Sequence, residues 1–208
     1  MKALLEGAVS FMEDGFLEHE ELFKSLKHNQ DPKVLFVTCT DSRVVPNLIT
    51  NALPGDLFTI RNIANIVPPY RVSDDFLATT SAIEYALQVL NIKTIIICGH
   101  SDCGGCKAIY QDESKFVNTP NLRNWIKLIE PIKTEVLKFT SDDPAKIAWL
   151  TERLNIINSI ENLLTYPNVE SDFDAGKLEI YGWHYIIETG EIFSYDLKTK
   201  SFKLLAVR

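Results

Sequence analysis

Apolar and polar positions change period twice along this chain. From about residue 3 to 28 the apolar residues Leu4, Leu5, Ala8, Phe11 and Met12, then Leu22, Phe23 and Leu26, recur at helical spacing. This predicts one or two amphipathic helices, ended by Asp31-Pro32. The helical period is then lost. Val34-Leu35-Phe36-Val37-Thr38 and Thr94-Ile95-Ile96-Ile97-Cys98 are unbroken apolar runs bounded by turn residues, which suits strands buried on both faces of a parallel sheet. Strands are therefore expected at about 33–38 and 93–98, with a short one at about 57–60. Ser73 reads as the cap of a helix over 74–90, and further helices are expected near 104–111, 120–138 and 144–165, the last opening at Asp143-Pro144. The period then becomes two. Residues 178–188 and 192–197, split by Thr189-Gly190-Glu191, read as a terminal strand pair, and 201–207 as a further strand. Strands alternating with helices imply right-handed crossovers, hence an α/β fold with a mainly parallel sheet flanked by helices.

Composition narrows the class. A chain of 208 residues, 46% hydrophobic, supports one sizeable core, so 1–208 reads as a single domain. The net charge of -7 and the scattering of its 21 Lys and Arg argue against nucleic acid as a partner, which calls for a basic stripe. No stretch approaches the ~20 apolar residues that span a bilayer, and Glu6 interrupts any signal-peptide core, so no membrane partner and a cytoplasmic location are expected. Four cysteines fit a reducing compartment better than a disulfide framework.

The chemistry gathers where the two apolar runs end. The first leads into Cys39-Thr40-Asp41-Ser42-Arg43 and the second into Gly99-His100-Ser101-Asp102-Cys103. In open parallel sheets ligands bind outside the carboxyl ends of the strands, so both segments lie where a site would form. Cys39, His100 and Cys103 supply two thiolates and an imidazole, three ligands for one tetrahedral Zn²⁺ with the fourth position left for water. Zinc lowers the pKa of bound water from about 15.7 toward ~7, which makes a hydroxide nucleophile near neutral pH. Asp41, two residues beyond Cys39, can accept a hydrogen bond from that hydroxide, and Arg43 matches the carboxylate and holds it ionised.

C-x-D-x-R followed by G-H-S-x-C-G resembles the β-class carbonic anhydrases. The likeness extends through Pro54-Gly55-Asp56-Leu57-Phe58, the segment Arg61 to Tyr70, Ala82-Ile83-Glu84-Tyr85-Ala86 and Gly182-Trp183-His184-Tyr185. It implies reversible hydration of CO₂ to bicarbonate, one zinc per chain, and an antiparallel carboxyl-terminal edge on the sheet. It also implies a homodimer or dimer of dimers, with residues 1–30 an arm packed on the partner subunit. Gln30 and the Gly104 N–H match groups that bind substrate oxygens, while Phe58, Ile63 and Tyr85 match pocket walls, some of which reach across the dimer interface. A subset of the family binds inhibitory bicarbonate through a tryptophan three residues before the first zinc cysteine, together with an arginine. This chain has Arg61 but carries Phe36 at the tryptophan position, so that regulation is not expected.

Two other readings compete. Cys103-Gly104-Gly105-Cys106 between a strand and a helix is also the pattern of a thiol-disulfide oxidoreductase, although that reading leaves Cys39, Asp41, Arg43 and His100 without a purpose. A purely structural zinc would normally have four protein ligands, and three are evident. His19, His28 and His184 read as surface or core histidines rather than proton carriers.

Overall fold

A computed structural model describes residues 1–75 and 77–206. Among the described residues six strands form one sheet in the order β2-β1-β3-β4-β5-β6. They are β1 (Val34–Cys39), β2 (Leu57–Asn62), β3 (Thr94–His100), β4 (Glu179–Tyr185), β5 (Ile192–Asp196) and β6 (Ser201–Leu204). The first four strands in sequence are mutually parallel, and the last two add an antiparallel edge. The two unbroken apolar runs are the central strands β1 and β3, and their buried side chains belong to clusters on both sides of the sheet. On one side Leu35, Val37, Ile95 and Ile97 pack with Ile156, Ile160 and Leu163 of the helix Pro144–Leu164. On the other, Phe36, Ile96 and Cys98 meet Trp183 and Tyr185.

Several elements differ from expectation for identifiable reasons. The helix expected from Ser73 begins at Ala78, because the Ser73 hydroxyl accepts the Asp75 N–H at 3.1 Å and closes a local turn instead of capping a helix. Residues 76 and 207, within the expected helix and the expected last strand, lie outside the described residues. The span 120–138 is interrupted by a 3₁₀ turn at Lys127–Ile129, and a second helix, Glu130–Phe139, starts with Pro131 in its first turn, where a missing N–H costs nothing. Two short helices, Pro46–Thr50 and Val169–Asp174, add to those expected. Pro144–Leu164 starts where expected, because Asp143 accepts the N–H groups of Ala145 and Lys146, each at 3.0 Å. β3 extends two residues beyond expectation and ends on His100.

Residues 2–26 are helical with a break at His19, and none of them is buried. Leu4 and Met12 are 75% and 72% exposed, so among the described residues the apolar face of the first part of this arm is left open, whereas Leu22, Phe23 and Leu26 are half-buried.

Candidate metal centre and cavity

Cys39 is the last residue of β1 and His100 the last of β3, and these strands are neighbours in parallel register. The shared direction of the two strands therefore puts the two candidate ligands side by side at their carboxyl ends. Cys103 reaches the same point through a tight turn. The Ser101 N–H bonds the Tyr185 carbonyl at 2.9 Å, Asp102 takes the left-handed conformation with φ 60°, and Cys103 caps the helix Gly104–Ala108. The ligand atoms of Cys39, His100 and Cys103 all lie within 4.8 Å of one another, and all three residues are buried.

The donor set fits a metal ion. His100 Nδ1 is 2.9 Å from the Ser101 carbonyl, to which it must donate, while the buried Nε2 has no hydrogen-bond partner among the described residues. That leaves the lone pair on Nε2 free to ligate, the arrangement by which an outer hydrogen bond orients a metal-binding imidazole. Hydrogen bonding to the Cys103 sulfur, and then burial, push the Cys39 thiol up to about 12. Two crowded, buried thiols are poorly placed as free groups, and a cation between them would favour the thiolates.

The loop after β1 holds a carboxylate beside this cluster. Asp41 Oδ1 accepts the Arg43 main-chain N–H at 3.0 Å and Arg43 Nε at 2.9 Å, while Oδ2 accepts NH2 at 2.8 Å. Oδ2 is 3.9 Å from His100 Nε2. Hydrogen bonding to Arg43 holds the Asp41 carboxyl well below the usual carboxylate range. Arg43 also reaches the Asp102 carbonyl at 3.2 Å, so it ties the Cys39 loop to the Cys103 turn. Arg61 supports the loop from below, donating to the Cys39 carbonyl at 3.1 Å and the Asp41 carbonyl at 2.8 Å.

A cavity of about 330 Å³ opens beside Cys39 and Asp41, with Ile63, Gly104, Gly105, Ala108 and Leu122 among its walls. Ile63 stands there because of the strained segment that follows it. Ala64 and Asn65 have φ values of 63° and 47°, a conformation costing about 1–3 kcal/mol for such residues. The helix Pro144–Leu164 offsets that cost by hydrogen bonding: Asn155 donates to the Ala64 carbonyl at 2.6 Å, and Ser159 to the Asn65 carbonyl at 3.3 Å. Gly105 lets the next helix approach, since a Cβ there would come within 2.8 Å of both Ala64 Cβ and Ile63 Cγ2.

The structure thus brings Cys39, Asp41, Arg43, Ile63, His100, Cys103 and Gly104 together, but not the remaining candidates. Phe58 and Tyr85 stack at 5.9 Å between ring centroids and do not line this cavity within a single chain. Gln30 lies in the exposed segment before β1 and does not line it either. Phe36 is fully buried and meets Trp183 edge-on at 6.0 Å. Cys103 and Cys106 are each 1% exposed, and hydrogen bonding to Cys106 raises the Cys103 thiol, the opposite of what a reactive dithiol needs. In sequence neither Leu122 nor Glu152 stands out, and His184, which pairs with Glu152 behind Cys103, reads as a surface or core histidine, because their proximity is created by helix packing rather than by sequence spacing.

Comparisons with known proteins agree on one family. The family model described as carbonic anhydrase matches residues 34–192. A carbonic anhydrase of Helicobacter pylori (strain J99) is 45% identical over 207 residues, covering 98% of this chain and 93% of that protein. The solved structure of the β-carbonic anhydrase CcaA superposes with a TM-score of 0.93 at 39% identity, covering 100% of this chain and 93% of that one. A tetrameric β-carbonic anhydrase from Sordaria macrospora gives a TM-score of 0.81 at 28% identity, covering 93% of this chain and 95% of that one.

Proposed function

The chain belongs to the β-carbonic anhydrase family of lyases, and from that premise we propose that it interconverts CO₂ and bicarbonate at a zinc ion held by Cys39, His100 and Cys103. The observation that carries this reading is the buried, unpartnered His100 Nε2 close to two buried thiols. Zinc in such a site supplies Lewis acidity and a nucleophile usable near neutral pH. Three protein ligands leave one coordination position for that chemistry.

The chain's own residues do the rest. Asp41, ionised, can only accept hydrogen bonds, so Oδ2 would accept one from the attacking oxygen and leave that oxygen's lone pair facing the substrate carbon. Arg43 fixes both Asp41 oxygens, which keeps the carboxylate ionised and off the metal. The Gly104 N–H lies in the first turn of its helix, where no intrahelical acceptor exists, and it donates to the substrate oxygen that gains charge. Ile63 and Leu122 give CO₂, which has no dipole, an apolar wall.

Gln30, Phe58 and Tyr85 complete the pocket when a second copy is present. The arm, residues 1–30, packs on that copy, which would cover the apolar face left open in one chain. The assembly is a homodimer or a dimer of dimers, in line with the tetrameric Sordaria relative. Within the assembly, residues 1–208 act as one catalytic domain. Four buried cysteines without a disulfide suit a reducing cytoplasm, and among the described residues no helix is long and apolar enough to cross a membrane. Stopped-flow CO₂ hydration by the zinc-loaded protein tests the activity. Catalysis above the buffer rate is expected, and a rate no faster than buffer would overturn it.

A further inference from the structure

Behind the metal centre lies a charged group that the chemistry above does not use. Glu152, on the helix Pro144–Leu164, is 3% exposed, and His184 of β4 is fully buried. Glu152 Oε1 accepts the Cys103 main-chain N–H at 3.1 Å, and Oε2 lies 3.1 Å from His184 Nε2. Arg153 Nε donates to His184 Nδ1 at 3.2 Å. Arginine has no acceptor, so Nδ1 must be the acceptor of that bond, and the ring proton sits on Nε2 and points at Glu152. Arg153 is itself pinned, its guanidinium lying 3.8 Å from the Trp149 ring centroid, 4.9 Å from that of Phe202 and 5.1 Å from that of Phe193.

Every link in this relay has one direction. Strands β5 and β6 supply Phe193 and Phe202, which hold Arg153; Arg153 sets the His184 tautomer; His184 orients Glu152; and Glu152 fixes the main chain of a metal ligand. A buried carboxylate is costly, and two apolar side chains would fill the same space more cheaply. Its two accepted hydrogen bonds give it a purpose. Cys103 follows a residue with positive φ, and its direction toward the metal depends on where its N–H is anchored.

We propose that Glu152, held by His184, is a positioning residue that sets the geometry of the metal ligand Cys103 and so governs how firmly the site keeps its metal. This rests on the zinc reading above. Glu152→Gln keeps the size but offers one acceptor oxygen to two donors, so either Cys103 or His184 loses its partner. His184→Phe removes the N–H that orients the carboxylate, whereas His184→Gln keeps an N–H within similar reach.

The test is made on the zinc-loaded protein, following zinc transfer to a colorimetric chelator, and on the cobalt-substituted protein, reading the thiolate-to-cobalt charge-transfer band. Glu152→Gln and His184→Phe should release metal about 10–100-fold faster than the parent and shift the band, while His184→Gln stays close to the parent. Parent-like release and spectrum in Glu152→Gln, with unchanged thermal stability, would overturn the proposal. If Glu152→Gln does not fold, the two His184 variants decide: faster release by Phe alone supports the proposal, and equal release by both overturns it. A parent that binds no zinc overturns the zinc reading and this proposal together, whereas a zinc-loaded, active parent with unaltered variants overturns only this one.

Discussion

Arg43 grips Asp41 on both carboxylate oxygens, Nε to Oδ1 at 2.9 Å and NH2 to Oδ2 at 2.8 Å, while Oδ2 stays 3.9 Å from His100 Nε2. The carboxylate thus lies beside the candidate metal site yet is already engaged. On the proposed zinc reading, Arg43→Ala would free it to ligate the metal, so CO₂ hydration should fall by ~10²-fold or more with zinc still bound. Asp41→Asn, whose amide places donors where only acceptors serve, should cost a similar factor. Unchanged hydration in either variant would reduce the pair to a surface ion pair. The pair also contributes to acid resistance. The folded-state pKa of Asp41 lies below its unfolded value of about 3.9, so its contribution to stability is present above that pH and is lost as pH falls through the folded-state value.

Zinc loading should release protons. With the Cys39 thiol pushed up to about 12 and the Cys103 thiol raised as well, both are protonated in the metal-free protein at neutral pH. Binding through both sulfurs therefore displaces about two protons per chain, and affinity weakens as pH falls. Calorimetry in buffers of different ionisation enthalpy measures this number. A value near zero would mean that the thiols are not ligands.

The main fold and the Cys39, His100 and Cys103 cluster are legible in sequence because each depends on local signals. The unbroken apolar runs marked β1 and β3, and their carboxyl ends marked Cys39 and His100 as neighbours. Asp41 and Arg43 were legible because their bond is made within one short loop. What escaped was set by packing between distant elements. Ser73 has the chemistry of a cap but uses its oxygen on Asp75. Glu152 reaches Cys103 across 49 positions, and Leu122 joins the cavity wall because its helix, Pro120–Ile126, packs on the helix Gly104–Ala108. Gln30, Phe58 and Tyr85 matched the family pattern in sequence, yet a single chain does not assemble them around the cavity.

Proton removal should depend on the medium. His184 is fully buried with both ring nitrogens engaged, so it cannot collect a proton at the site and deliver it to solvent. Raising the concentration of a small buffer with pKa near the working pH, at fixed ionic strength, should increase kcat and leave kcat/KM nearly unchanged. A kcat independent of buffer down to the lowest usable concentration would require an internal carrier.

Bicarbonate should act on this enzyme as product alone. Phe36 has no side-chain N–H to donate, and Arg61 spends Nε and Nη2 on the carbonyls of Cys39 and Asp41 at 3.1 and 2.8 Å. Hydration measured against added bicarbonate at fixed pH should decline hyperbolically. A sigmoidal loss of rate would reveal a second, cooperative site.

The most direct test of a catalytic zinc on Cys39, His100 and Cys103 is to strip the protein of metal, return zinc in substoichiometric steps and measure CO₂ hydration against bound metal. The rate should rise linearly and level off at about one zinc per chain, as a single mononuclear site requires, and Cys39→Ala should neither hold the metal firmly nor recover the rate. Full hydration by the metal-free protein, or full zinc retention and activity in Cys39→Ala, would contradict it.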